Sequence, residues 1–358
     1  MKPSAPSALH AGISRRRALK LSFSFSAASL LAGRTFAERD TALPADEQPP
    51  SPAPAADPES RHIVVWGDWG ASDDGKAQKA VARGMTRYVR GLPAVPFCQF
   101  LLGDNFYGSF KGGVNSPRWK EQFEEMYPAD VLPGPCHALL GNHDYDDAPG
   151  IKLVAELQYE RTHPGTRWRM PGNWYSVSLD DPQGRPLAEC LLLDSNYKNR
   201  LISISADERE RQLHWLERRL AAPRLAPWLF VMAHHPLYSQ GVHGDHAALI
   251  KDWDPLFRKH GVSLYLAGHD HDLQHLEFEG HPTSFVISGG GGARARHDEM
   301  SKSPQKRGPY AQAVYGFSHL QLTRERLVLR HLDANGREVH AFSKTPDGTL
   351  TLLPPGPA

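Results

Sequence analysis

The chain is 358 residues long, 40% apolar and 23% charged, with a formal charge of +1 at pH 7. That length supports one large domain or two ordinary ones, with a sizeable core either way. The first 37 residues hold six bases and no acid, and without them the balance is −5, which speaks against nucleic acid or another polyanion as partner.

In chain order, Ser14-Arg15-Arg16-Arg17-Ala18-Leu19-Lys20 comes first, followed by a Ser- and Ala-rich apolar run from Leu21 to Leu31. The pair resembles a twin-arginine export signal, with Ala18 where that pattern usually has Phe, and Thr35-Phe36-Ala37 offers a cleavage site. Residues 1–37 are therefore expected to be removed after delivery to the periplasm or beyond. The twin-arginine machinery carries folded proteins, which suits a protein that takes up metal before export. The apolar run is too short to span a bilayer comfortably, so no stable membrane insertion is expected. Residues 38–60, rich in Pro and Ala, read as an extended linker.

From Arg61 onward, five apolar runs each end in polar residues: HIVVWGDWG, FCQFLLGDNFY, CHALLGNHDY, WLFVMAHHP and VSLYLAGHDH. Such runs, separated by helix-length segments, predict parallel strands buried on both faces. The helical candidates are Lys76–Tyr88, Pro117–Met126, Ala206–Leu220 and His246–Lys259. Later runs (LQHLEFE, TSFVISG, YGFSHLQL, RLVLRHL) are short strands split by turns, as in an antiparallel second sheet. The fold class expected is α/β: a four-layer αββα sandwich of two mixed sheets flanked by helices, one domain over 61–335. Residues 336–358 are expected to be a tail that begins as an ordered edge and ends frayed.

In sheets of this kind, functional groups collect beyond the carboxyl ends of the strands. The five blocks would bring seven ligand-type residues there: Asp68, Asp104, Tyr107, Asn142, His234, His269 and His271. That is enough for two metal ions. A dinuclear hydrolase needs a carboxylate shared by ions about 3.5–4 Å apart, and the central Asp104 is the natural bridge. Tyr107 is the unusual member, since a phenolate is a hard anion that fits ferric iron better than zinc or magnesium. Asp68, Tyr107, His271 and the bridge suit Fe(III); Asn142, His234, His269 and the bridge suit a divalent ion.

Taken together, DWG, GDNFY, GNHDY, VMAHHP and GHDHDLQH resemble the purple acid phosphatases, and within them the small animal-type branch, the tartrate-resistant acid phosphatases. The likeness runs over most of 61–335 and includes RWRMPGNWYSV and QLHWLERRL. It implies a metallophosphoesterase fold and the same two ligand sets. It also implies hydrolysis of phosphate monoesters by a metal-bound hydroxide at an Fe(III)–M(II) centre, where M is Fe, Zn or Mn. Two non-ligand histidines of that family match His143 and His243, expected to position the phosphate and to protonate the leaving group respectively. An acidic pH optimum and a monomer are expected. The segment from Asp194 to Gln212 is shorter than the regulatory loop of the animal enzymes, and His275 stands where a tyrosine is usual, so neither loop regulation nor that residue's role carries over.

Other features have plainer readings. His235 serves equally as a group orienting the site or as a loop histidine. Gly289–Gly292 read as a turn rather than a phosphate cradle, and Arg294, Arg296, Lys302, Lys306 and Arg307 as a solvated loop. Asp194 reads as structural. Cys98, Cys136 and Cys190 lack an arginine six positions on, which argues against a cysteine-nucleophile phosphatase. Alternatives to the monoesterase are a calcineurin-like phosphodiesterase, an iron-redox protein and a non-catalytic phosphate binder.

Overall fold

The structure is a computed structural model that describes residues 49–71, 75–147, 151–197, 203–293 and 308–354. The expected export signal and the basic stretch around Lys302 lie outside these residues. Strands β1 (Arg61–Trp66), β2 (Cys98–Leu101), β3 (Cys136–Ala138) and β4 (Trp168–Arg169) pair in parallel and in that order. Strands β6 (Pro186–Leu192), β7 (Trp228–Met232), β8 (Leu264–Ala267) and β10 (Ser284–Ser288) do the same in a second sheet, which β5 (Tyr175–Asp180), β9 (Leu273–Leu276) and β11 (Tyr310–Gln312) complete. Every residue of β2, β7, β8 and β10 is buried, which is why these runs carry no polar–apolar alternation.

Four helices flank the sheets: α1 (Lys76–Arg90), α2 (Ile151–Thr162), α3 (Ala206–Ala221) and α4 (Ala247–His260). The chain starts α3 with a reciprocal cap between Ser205 and Glu208 and ends α4 at Gly261 in the left-handed region. The Pro117–Met126 segment, expected as a helix, makes a short wide turn over Trp119–Glu124 with i→i+5 hydrogen bonds. Periodicity passes over α2 because its buried face includes the charged Lys152 and Glu156.

Three apolar clusters define the layers. Val81, Met85 and Val89 of α1 pack with Val64 and Leu101 on the outer face of one sheet. Ile63, Phe100, Phe230, Leu266, Leu320 and Phe342 meet between the sheets. Leu216 of α3 and Trp253 and Phe257 of α4 cover Val231 and Tyr265 on the outer face of the other. The four-layer αββα sandwich of two mixed sheets is thus observed.

One expectation is corrected. The late strands make no antiparallel sheet of their own. Strands β9 and β10 join β8, whereas β12 (Gly316–Leu322), β13 (Leu327–Asp333), β14 (Glu338–Lys344) and β15 (Leu350–Leu352) extend outward from β1. Each group satisfies a backbone edge that β1 or β8 would otherwise leave open. The site blocks are consequently divided, with β1, β2 and β3 in one sheet and β7 and β8 in the other. Chain before β1 also docks here: the Ser51 amide donates to Gly336 O at 3.1 Å and its Oγ accepts from Glu338 N at 2.9 Å. Among the described residues, no helix is long and apolar enough to cross a membrane.

Candidate metal centre

Each strand of the five is followed within a few residues by a turn that carries a polar side chain to the seam between the sheets. The turns are tight. Asp68 (φ 60°), Asp104 (φ 49°) and His269 (φ 71°) are the non-glycine residues with positive φ among those described. Left-handed backbone costs a non-glycine residue of order 1 kcal/mol or more, and it persists where the surroundings over-determine it. Here all three strained residues are expected ligands.

The side chains converge. The Tyr107 hydroxyl lies 3.1 Å from Asp68 Oδ1, 2.9 Å from Asp104 Oδ2 and 3.1 Å from His271 Nε2. His234 Nε2 is 3.1 Å from Asn142 Oδ1, 3.4 Å from Asp104 Oδ1 and 3.3 Å from His269 Nδ1. Asp68, Asp104 and His234 offer ligand atoms all within 4.8 Å of one another, and all three residues are buried. The His269 amide donates to Asp68 Oδ2 at 3.0 Å, a contact that joins the two sheets. All seven residues singled out from the sequence therefore share one cluster. Asp104 faces both halves, with Oδ2 toward Tyr107 and Oδ1 toward His234.

The donor set fits metal ions. Asp68 and Asp104 are buried carboxylates whose charge is compensated by histidines rather than by lysine or arginine. Burial pushes Asp68 up, whereas Asp104 is held low against the same burial by His234 and His143. Burial opposes a charged His234, but Asp104 and Asp68 overcome it and raise its pKa to about 10. Burial, Asp104 and Asp68 all raise Tyr107 well above the usual phenol range. Without a cation the cluster must thus hold protons on ligand atoms; multivalent cations would take their place.

Two further histidines border the cluster. His143 donates its amide to Asp104 Oδ1 at 2.7 Å, and its ring lies 4.4 Å from that of Tyr107. The His243 ring lies 4.1 Å from that of His269, tilted by 35°. In both, Nδ1 is taken by a carboxylate, at 2.5 Å from Asp146 Oδ2 and 2.7 Å from Asp270 Oδ1 respectively.

Behind these residues lies a further layer of side chains that strand-end position does not mark. Buried Asp144 accepts backbone N–H groups from Gly141 at 2.8 Å, Asn105 at 2.9 Å and Phe106 at 3.3 Å, fastening the GNHD turn to the GDNFY turn. Glu156 accepts from Asn105 Nδ2 at 2.8 Å behind them. Arg118 donates to Tyr107 O at 2.8 Å and to Gly70 O at 3.0 Å, tying GDNFY to DWG. Asp144 and Asp270 lie inside GNHD and GHDH, so adjacency was their signal; Glu156 and Arg118 offered none.

The residues left open now have places. The His235 ring packs 4.3 Å from His269, with Nδ1 2.8 Å from Ser195 Oγ, which makes it a buttress of the site. His275 has its ring nitrogens on His340 at 2.9 Å and Glu277 at 2.7 Å. Asp194 accepts from the Tyr145 hydroxyl and from Asn196 N at 3.0 Å, beneath GNHDY. Gly289–Gly292 are buried, and a Cβ on Gly289 would overlap Asp270 O, so they serve close packing rather than a flexible turn. The three cysteines are buried free thiols.

A family model described as calcineurin-like phosphoesterase matches residues 61–273, and the chain belongs to that family. Within it, human tartrate-resistant acid phosphatase type 5 is 28% identical over 309 residues, covering 81% of this chain and 92% of that protein. Purple acid phosphatase 7 of Arabidopsis thaliana is 29% identical over 291 residues, covering 79% and 86%. Among solved structures, GAP50, described as the anchor in the inner membrane complex of Plasmodium, matches with a TM-score of 0.65 at 21% identity, over 79% of this chain and 87% of that one. The last likeness is one of fold, and activity has to be argued from the site.

Proposed function

We propose that the chain is an acid phosphatase that hydrolyses phosphate monoesters at a dinuclear centre of Fe(III) and a divalent Fe, Zn or Mn ion. The observation that carries this reading is Tyr107, whose hydroxyl lies within 3.1 Å of Asp68, Asp104 and His271 together. A phenol raised by burial and two carboxylates gives up its proton only to a strongly charged hard cation, which favours Fe(III). Asp68, Asp104, Tyr107 and His271 would hold that ion, and Asp104, Asn142, His234 and His269 the divalent one. When bound, such a pair supplies the nucleophile and the positive charge that phosphate-ester hydrolysis requires.

The protein's own groups do the rest. His243, with Nδ1 on Asp270, keeps Nε2 for the leaving-group oxygen and is the proposed general acid. His143, with Nδ1 on Asp146, keeps Nε2 for a phosphate oxygen. His235 and Ser195 hold His269 from behind.

Metal analysis, a visible spectrum and paired assays on the purified protein test the reading. Iron with a second metal ion, a tyrosinate band lost in Tyr107→Phe, and preference for p-nitrophenyl phosphate over the bis-ester are expected. Preference for the diester would make the chain a phosphodiesterase. Background turnover with both ions bound would favour an iron-redox or binding role.

Export through the twin-arginine machinery to the periplasm or beyond is part of the proposal and rests on Arg15 and Arg16. Replacing both with Lys should leave the protein in the cytoplasm at its uncleaved length.

A further inference from the structure

We propose that Asp146, held from behind by the buried Lys152, is the positioning residue that aims His143 at the substrate phosphate. The inference rests on the phosphatase reading above. It begins with a short helical turn, His143–Tyr145, which sets residues three apart over one another. Asp146 Oδ2 thereby meets His143 Nδ1 at 2.5 Å. The other carboxylate oxygen accepts from Lys152 Nζ.

Lys152 is the telling member. Its side chain is 0% exposed, against 31% for Asp146 and 39% for His143. A buried ammonium is costly unless paired and hydrogen-bonded, so a chain that needed only to fill this space would use an apolar side chain. Lys152 instead donates to Asp146 and, at 3.0 Å, to Phe106 O, the carbonyl just before Tyr107. Its own amide is held by both oxygens of Asp147 at 3.1 Å. One ammonium therefore links α2, the GDNFY turn and the carboxylate behind His143.

The second site histidine needs no such support. Its carboxylate, Asp270, is 1% exposed and is held by Ser239 Oγ and the His243 amide. Asp146 stands at the surface, where a lone carboxylate would sample several rotamers and let the imidazole turn with it. With Lys152 behind it, Asp146 keeps Nδ1 as the donor and leaves Nε2 directed away from the turn. A role confined to anchoring α2 would not require the far oxygen of the same carboxylate to grip a site histidine.

The test uses the metal-loaded full chain with Asp146→Asn, His143→Ala and the double variant. It reads steady-state kinetics together with calorimetric binding of inorganic phosphate. Asp146→Asn is expected to raise both KM and the phosphate Kd about tenfold, with kcat and metal content changed far less, as for loss of one charge-assisted hydrogen bond. In the His143→Ala background the same change should add nothing, because its effect passes through that ring. Unaltered phosphate affinity in Asp146→Asn, or an equal loss when His143 is already absent, would overturn the proposal. Phosphate binding needs no turnover, so a wild-type protein that binds phosphate without hydrolysing esters would count against the phosphatase reading alone.

Discussion

Gly141 packs directly against Asp104: a Cβ at this position would overlap both Oδ1 of the carboxylate and the Asp104 backbone nitrogen. The glycine of GNHD is thus part of the wall that shapes the proposed bridging carboxylate, which follows the preceding strand of the sheet. Gly268 of GHDH stands in the same relation to Asp68 Oδ2. A methyl group here cannot be absorbed by a flexible neighbour, because what it meets is backbone and a carboxylate oxygen in a strained turn.

Gly141→Ala is therefore expected to fold less stably and to bind metal poorly, with activity reduced roughly 100-fold, on the scale seen when the support of a metal ligand is lost. Metal stoichiometry and turnover of the purified variant are the measurements. Full occupancy with unchanged activity would mean that the turn relaxes in a way the packing does not allow.

Metal uptake should release protons. In the metal-free protein burial is outweighed at His234 by Asp104 and Asp68, and its pKa is raised to about 10, so it is protonated at neutral pH. Tyr107 is held protonated by burial and by the same carboxylates. Both must lose a proton to serve as ligands, so loading is expected to expel about two protons, and affinity should fall as pH falls. Calorimetry in buffers of different ionisation enthalpy measures the number directly, and a heat independent of buffer would refute the assignment.

The fold should lose stability in mild acid even though the activity is expected there. Burial and Arg330 lower His62 to about 4, and burial and Arg169 lower His137 to about 4. A histidine depressed on folding binds its proton less well than in the unfolded chain, whose value is near 6.5, so stability is full above that value and declines as pH drops toward 4. Each should cost up to about 2 kcal/mol by pH 5. His62 also belongs to a buried chain in which His319 bridges its Nδ1 and the Tyr88 hydroxyl, both at 2.9 Å. Thermal midpoints of the metal-loaded protein between pH 7.5 and 5 should fall, and less steeply in His137→Phe. A midpoint that rises toward pH 5 would contradict this.

The residues around the metal centre divide by how they could be read. Asp68, Asp104, Asn142, His234 and His269 follow apolar runs directly, so strand burial and turn position marked them without any knowledge of contacts. Lys152 and Glu156 resisted such reading because they are charged residues on a buried helix face, where periodicity looks for apolar ones. Asp146 looked like any loop aspartate until its neighbours were known.

The linear sequence by itself determined the donor types and the strand runs that carry them, because those depend on local composition over a few residues. Tertiary structure alone decided that β12 pairs with β1 and β10 with β8, so that the five blocks meet across a seam between two sheets. It also decided that a lysine on α2 stands behind His143. Those outcomes turn on which open edge a strand covers and which buried charge finds a partner. Both are settled between residues far apart in the chain.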